Sequence, residues 1–233
     1  RCESAAAGER GSPQDANRPC VLLYTSGTSG VPKGVILTPQ TLFFTGVNFG
    51  VLGQVTSQSV FLAESPFFHV IGLVTSVWPP LVQGGTVLIS SGFDPVVTNS
   101  RLADRALGIT HYFCVPQMAT ALKDADGFQP ENWSLAALFT GGAPNPPANI
   151  RWWLERGVAM VDGYGMTEAG TILGMPLDPA LISNHAGAVG QAGPATAIRI
   201  VDAEGREVQD GTAGEIIVKG PHVTPGYWNR PEE

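Results

Sequence analysis

"VLLYTSGTSGVPKG", residues 21–34, carries a short apolar run into a loop where Thr25, Ser26, Thr28 and Ser29 alternate with Gly27, Gly30 and Gly34 around Lys33. Val21–Tyr24 reads as a strand. A loop this rich in donors has two readings, a cradle for a polyphosphate or a plain surface turn. The familiar P-loop, G-x-x-x-x-G-K followed by Ser or Thr, does not match, because Lys33 stands three residues after Gly30 and is followed by Gly34. No G-x-G-x-x-G opens a helix, and the serine-hydrolase elbow G-x-S-x-G is absent. Three common readings of a glycine-rich turn are thereby excluded.

Working outward, apolar strand runs alternate with helix-length patterns. Strands are expected at 21–24, 35–37, 59–63, 86–90, 110–115, 135–140 and 158–162. Helices are expected near 41–52, 69–77, 95–107, 116–125 and 147–156, several opening on proline, which suits a first helical turn. Continuous apolar strands separated by helices predict an α/β fold, a mostly parallel sheet with helices on both faces. In such sheets ligands sit beyond the carboxyl ends of the strands. The loops at 25–34, 140–147 and 163–170 fit that position. From about Ala188 the chain turns to short alternating runs with Gly/Asp turns, "AIRIVDAEGREVQDGTAGEIIVKG", which predicts the start of a small antiparallel β-barrel subdomain. The expected division is a loose lead-in at 1–19, an α/β ATP- and acyl-binding region at 20–187, and an incomplete barrel at 188–233.

Composition sets the limits. The chain has 233 residues, 43% of them hydrophobic, enough for one large domain or part of a bigger one. Its formal charge is −7, and its 13 basic residues are spread thinly, so a nucleic-acid footprint is missing. An anionic ligand must be held locally, by backbone N–H groups and a few placed cations. Cys2, Cys20 and Cys114 make no CxxC pair and no even framework, and the four histidines lack zinc-site spacing. A reducing, cytoplasmic compartment is the expectation, with peroxisomal or peripheral membrane association as alternatives. The uncharged stretch 67–89 is long enough for a membrane span, but Pro79-Pro80 and Gly84-Gly85 break it, so helix, turn and strand are expected there.

The loop T-S-G-T-S-G-x-P-K-G resembles the phosphate loop of the adenylate-forming superfamily: acyl- and aryl-CoA synthetases, peptide-synthetase adenylation domains and firefly-type luciferases. "SPFFHVIGL" (65–73) is similar to that family's aromatic substrate segment, "FTGGAPN" (139–145) to its adenine-side loop, "DGYGMTEAG" (162–170) to its Tyr-Gly-x-Thr-Glu segment, and "GEIIVKGPHVTPGYWNRPE" (214–232) to its barrel segment. These segments occur in the family's order from Arg18 to the end. Ser29 stands where a second threonine is frequent, which keeps the hydroxyl. Pro39 stands where a histidine is frequent, which leaves that position's role open.

The resemblance implies an enzyme that activates a fatty or aryl carboxylic acid with ATP and Mg²⁺ and passes it to coenzyme A. Thr25, Ser26, Thr28 and Ser29 would offer hydroxyls, Gly27 and Gly30 their amides, and Lys33 a compact cation for the outer phosphates. Gly142, Ala143 and Pro144 would line the adenine, Asp162 and Gly163 bond its amine, and Tyr164 stack on it beside Gly165. Thr167 would bond the α-phosphate and Glu168 hold Mg²⁺. Lys33, Thr167, Glu168 and His69 are the expected catalytic residues. His69, taken alone, reads as a core histidine; the resemblance turns it toward the acyl carboxylate. Candidate acyl-pocket walls are His69, Val70, Cys114, Gly142 and Met166. Amino-acid-activating members carry an acidic residue near 69–73; this chain has none, and a buried ammonium without a counter-charge is costly, so an acid lacking an α-amino group is expected. The alternatives are a peptide-synthetase-type domain loading a carrier-protein thiol and a non-catalytic nucleotide-binding remnant. The family's catalytic lysine and ribose-binding aspartate lie further downstream, so this chain is expected to be about the middle of a protein twice its length and inactive alone.

Overall fold

The computed structural model describes residues 15–25 and 31–233. Most of the lead-in expected at 1–19, and Ser26, Gly27, Thr28, Ser29 and Gly30 of the phosphate loop, lie outside the described residues.

β1 (Val21–Thr25) and β2 (Lys33–Leu37) form a two-stranded antiparallel hairpin, with Thr25 opposite Lys33. This corrects the expectation that the first strand belongs to the parallel sheet. The glycine-rich connection joins neighbours within a ribbon, and Tyr24 lies 60% exposed. α1 (Pro39–Leu52) follows at once. Thr38 caps it by accepting from the Thr41 amide, the Thr41 hydroxyl accepts from the Thr38 amide, and Pro39 takes the first turn. Position 39, where a histidine is frequent, thus serves here as a helix start.

The large sheet comprises β3 (Val60–Ala63), β4 (Thr86–Ile89), β5 (His111–Cys114), β6 (Ala137–Thr140), β7 (Met160–Met166), β8 (Gly170–Gly174) and β9 (Gln191–Ala192), in the order β4-β3-β5-β6-β7-β8-β9. The first five are parallel, and β8 and β9 add antiparallel at one edge. Strand order reverses at β3. Right-handed crossovers then put α2 (Trp78–Gln83) on one face, and α3 (Pro95–Ala103), α4 (Pro116–Asp124) and α5 (Pro147–Leu154) on the other. α1 packs against α2, α3 against α4, and α5 against α6 (Pro179–Asn184). The expected α/β architecture stands.

Register sorts the side chains. Phe113, Phe139 and Val161 are neighbours across β5, β6 and β7, as are Cys114, Thr140 and Asp162. Side chains alternate along a strand, so the two rows face opposite sides. The main core contains Phe49, Phe61, Tyr112, Leu138, Ile150, Trp153 and Met160, all buried. Glu64, just past β3, is also buried, but it accepts from Thr98 (2.6 Å), Tyr112 (2.9 Å) and Arg101 (2.5 Å). Its charge is therefore paired and bonded rather than stranded.

Where one regular helix is expected over 69–77, the chain makes a π-helical turn, Ile71–Thr75, and only later α2. Gly72 lies so close to the preceding turn that a Cβ there would come within 2.2 Å of the Pro66 carbonyl oxygen. The Ser76 amide reaches back five residues to the Ile71 carbonyl (3.0 Å), and the Ser76 hydroxyl bonds the same oxygen (2.8 Å).

The carboxyl-terminal stretch contributes β10 (Ala197–Val201) and β11 (Glu215–Lys219), an antiparallel pair as expected. β9, on the barrel side of the expected division, pairs instead with β8 of the large sheet.

Candidate active site

Residues 222–228 draw three distant segments together. The Ile36 amide donates to the Gly226 carbonyl (3.1 Å), the Trp228 amide to Gly34 (2.8 Å), and the Thr224 hydroxyl to Ile36 (2.7 Å), so this strap runs along β2. The Thr224 amide also donates to the Glu168 carbonyl (2.7 Å), and His222 bonds the Ala169 carbonyl through Nδ1 (2.7 Å). Tyr227 is the result. Its hydroxyl donates to Glu168 Oε1 (2.9 Å), while Lys33 Nζ lies 5.2 Å from its ring centre. Burial, reinforced by the Glu168 carboxylate, pushes the Tyr227 phenol up to about 12, so it stays a donor at neutral pH. Lys33 also ion-pairs with Glu233, which Arg230 binds in turn (2.7 Å). Lys33 and Glu168, 135 positions apart by their numbers (168 − 33), thus share one side of the molecule.

Met166 and Gly170, flanking this hairpin tip, line a cleft with about 670 Å³ of empty space, open to solvent. It runs past Gly142, Asp162, Gly163, Tyr164 and Gly165 at the carboxyl ends of β6 and β7, between these and Val70, Ile71 and Thr75 of the π-turn. Its deep end is Phe49, Leu52, Gly53, Phe113 and Phe139. The third glycine loop expected from sequence is here the extension of β7 into a hairpin with β8, with a bulge at Tyr164/Gly165. The bulge re-aims the chain where a regular ladder would hold it flat.

Asp162 borders the cleft from the row it shares with Cys114 and Thr140, and its carboxylate is tied up behind the sheet. Thr140 and Asn145 (3.1 Å) donate to its Oδ1, and Asn149 donates to Asn145 Oδ1 (2.9 Å). Burial raises the Asp162 carboxyl above its ordinary value, and the Thr140 and Asn145 bonds pull the other way.

The structure brings together most of the expected residues. Val70, Gly142, Asp162, Gly163, Tyr164, Gly165 and Met166 line the cleft. Thr25 and Lys33 close the β1–β2 ribbon, Thr167 and Glu168 form the hairpin tip, and Ala143 and Pro144 continue the turn after β6. Two residues fall elsewhere. Cys114 is fully buried on the face away from the cleft, where burial raises its thiol; its neighbour Phe113 takes the lining position. A shift of one residue along a strand exchanges faces. His69 lies on the exposed turn before the π-helix with its ring 4.7 Å from that of Phe68, and Val70 rather than His69 reaches the cleft. Sequence reasoning assigned nothing to Asn145, Tyr227 or Ile71. Asn145 carried a readable signal, a polar side chain three residues past the Gly141-Gly142 pair; the part Tyr227 plays depends on a contact 59 residues away.

Among the described residues no group of three or more His, Cys, Asp or Glu gathers as a metal site. Mg²⁺ fits what is present, because it is commonly held by one or two carboxylates together with substrate phosphates, and Glu168 supplies the oxygen donor. No helix among the described residues is long and apolar enough to cross a membrane.

The chain matches the family model described as AMP-binding enzyme over residues 2–228. A feruloyl-CoA synthase from an Amycolatopsis species is 38% identical over 214 residues, 91% of this chain and 43% of that protein. An indoleacetate–CoA ligase from Aromatoleum aromaticum is 34% identical, covering 91% of this chain and 41% of its own length. Among solved structures, ATP-bound MatB from Rhodopseudomonas palustris aligns with a TM-score of 0.84 at 30% identity, over 94% of this chain and 43% of MatB. The o-succinylbenzoate coenzyme A synthetase MenE of Bacillus subtilis, in complex with ATP and magnesium ion, aligns at 0.84 and 28% identity, over 98% of this chain and 47% of that one. The chain thus spans less than half the length of these relatives. With its five motifs in order and its lysine, tyrosine and glutamate gathered beside the cleft, the chain belongs to the AMP-binding enzyme family, the adenylate-forming superfamily that includes the CoA synthetases.

Proposed function

We propose that this chain supplies the ATP- and acid-binding part of an AMP-forming acid–CoA ligase. The observation that carries the reading is the union of Lys33, Tyr227 and Glu168 beside a cleft walled by Asp162–Met166. A carboxylate oxygen attacks the α-phosphorus of ATP, the bond to the β-phosphate oxygen breaks, and pyrophosphate leaves. The CoA thiol, giving up its proton, then attacks the acyl carbon, and AMP departs with the bridging oxygen. The first step brings two anions together, so fixed donors and cations matter most there. Lys33 and the hydroxyls of the 25–30 loop serve the phosphates, Tyr164 stacks on the adenine, and Thr167 bonds the α-phosphate. Glu168, steadied by Tyr227, holds Mg²⁺, which supplies neutralising charge when bound. The names of the relatives, all CoA ligases or synthases, favour CoA over a carrier-protein thiol as acceptor.

The test is acid-dependent ATP–pyrophosphate exchange by the full-length protein. Exchange should require both a carboxylic acid and Mg²⁺, and Lys33→Ala should lower it by about 10²-fold or more. Near-normal exchange in Lys33→Ala rejects the role given to that lysine.

A further inference from the structure

The glycines that wall the cleft have no side chains to set their spacing. Gly141 and Gly142 follow Thr140 at the end of β6, and Gly163 follows Asp162 on β7. They pack backbone to backbone: a Cβ on Gly141 would stand 3.0 Å from the Gly163 carbonyl oxygen. What holds them in place lies on the other face of the sheet.

There Asn145 folds back across the turn that starts at Thr140. Its side-chain nitrogen donates to Thr140 Oγ1 (3.2 Å) and to Asp162 Oδ1 (3.1 Å), and the Thr140 hydroxyl donates to the same Asp162 oxygen. One side chain thus ties the two ends of the 141–144 turn to each other and to β7. All three residues are buried.

The bonds continue outward. Asn145 Oδ1 accepts from Asn149 (2.9 Å) on α5, and Asn149 Oδ1 accepts from Lys123 Nζ (3.1 Å) in the last turn of α4. Both amides point the same way, oxygen toward the ammonium and nitrogen toward the carboxylate, so each bond polarises the next. A carboxylate behind the sheet is thereby linked to a remote counter-charge, which offsets part of the cost of burying it. None of Lys123, Asn149 and Asn145 lines the cleft. Lys123 is half-buried, with its ammonium 4.9 Å from the Trp152 ring centre.

We infer that Asn145 is a positioning residue for the nucleotide, and that Lys123, on the face away from the cleft, acts on the nucleotide site through Asn149 and Asn145. The inference rests on the proposed function, in which residues 142–144 and Tyr164 receive the adenine. Adenine takes no part in bond making, so a wall out of place weakens ground state and transition state alike and appears in KM before kcat.

The experiment is acid-dependent ATP–pyrophosphate exchange by the full-length protein at saturating acid, with KM for ATP and kcat read separately. Asn145→Leu, similar in size but without donor or acceptor, should raise the KM for ATP about tenfold while kcat falls much less. Lys123→Met should raise it about threefold, and should add nothing in an Asn145→Leu background. Arg156→Met is the control. Arg156 also stacks on Trp152, at 3.7 Å, but takes no part in the row, and its loss should leave the KM for ATP unchanged. A lower melting temperature with unaltered KM in Asn145→Leu makes that residue structural only and overturns the inference. Equal rises in Lys123→Met and Arg156→Met overturn it too, because they mark a general loosening around Trp152. Should Asn145→Leu fail to fold, Lys123→Met decides alone, and a KM for ATP equal to that of the unaltered protein overturns the inference. Each of these results leaves the proposed function standing. Absence of exchange by the unaltered protein with any carboxylic acid overturns the proposed function and the inference with it.

Discussion

Tyr227 shows how one side chain can make a site from parts that are far apart in sequence. Its phenol donates to Glu168, and its ring lies beneath Lys33. Removing the hydroxyl leaves the fold's backbone bonds along β2 intact but frees a carboxylate that was held by a charge-assisted bond, worth about 1.5–3 kcal/mol. Tyr227→Phe should therefore raise the Mg²⁺ concentration needed for half-maximal exchange by about tenfold, with the circular dichroism spectrum unchanged. Glu168→Gln should shift the metal requirement further in the same direction. A Tyr227→Phe protein with unaltered metal dependence would mean that Glu168 needs no such support.

The hairpin of β7 and β8 is the element on which the site depends. Its bulge needs two backbones in near contact: a Cβ on Gly165 would come within 2.1 Å of the Gly170 carbonyl oxygen. That oxygen belongs to backbone and cannot swing aside as a flexible side chain would. Gly165→Ala should cost roughly 1–3 kcal/mol, read as a lower urea midpoint, and weaken ATP binding because Tyr164 precedes the bulge. Retained affinity with lowered stability would separate the hairpin's structural part from its part in the site. On the other face, α5 and the connection between α4 and β6 bring Phe128, Trp133, Trp152 and Trp153 into one aromatic group, with Arg156 stacked on Trp152 at 3.7 Å. That group packs on the main core, and none of its residues lines the cleft.

At the scale of the whole molecule, buried polar groups tie the two ends of the chain to the sheet. Asn48 of α1 donates to the Thr171 carbonyl (3.1 Å) and to Thr196 (2.9 Å), and it accepts from the Ala195 amide (2.9 Å). Thr196 in turn meets His222 (3.0 Å). Burial lowers both His111 and His222 below their ordinary 6.5. In each the native state favours the neutral ring, so below pH 6.5 the unfolded chain binds more protons. Stability contributed by these rings is full above 6.5 and is lost as the pH falls through their lowered values. Asp162, raised by burial, acts in the opposite sense: its contribution is full below 3.8 and is lost as the pH climbs through its raised value. The melting temperature should be flat near pH 7–8 and decline on acidification below 6.5. His222→Gln should make that decline shallower, and an unchanged slope would place the acid sensitivity elsewhere.

The sequence by itself determined the order of elements and the family. Strand runs such as 110–115 and 135–140 are mostly apolar, without the alternation of a half-exposed strand, because both faces of a parallel sheet are covered, and their centres fall in β5 and β6. The loops around Lys33, Gly142 and Glu168 were legible because glycine and hydroxyl patterns serve local backbone needs. Only the tertiary structure decided what depends on register and on distant contact. It moved the cleft wall from Cys114 to Phe113, because side chains alternate and a run that is apolar on both faces does not say which face holds the cleft. It set β1 and β2 apart as an antiparallel ribbon and turned 69–77 into a π-turn, because the carbonyls of Ser65 and Pro66 crowd Gly72. It also placed Tyr227 between Lys33 and Glu168, since a bond across 59 residues leaves no trace in the spacing of either partner.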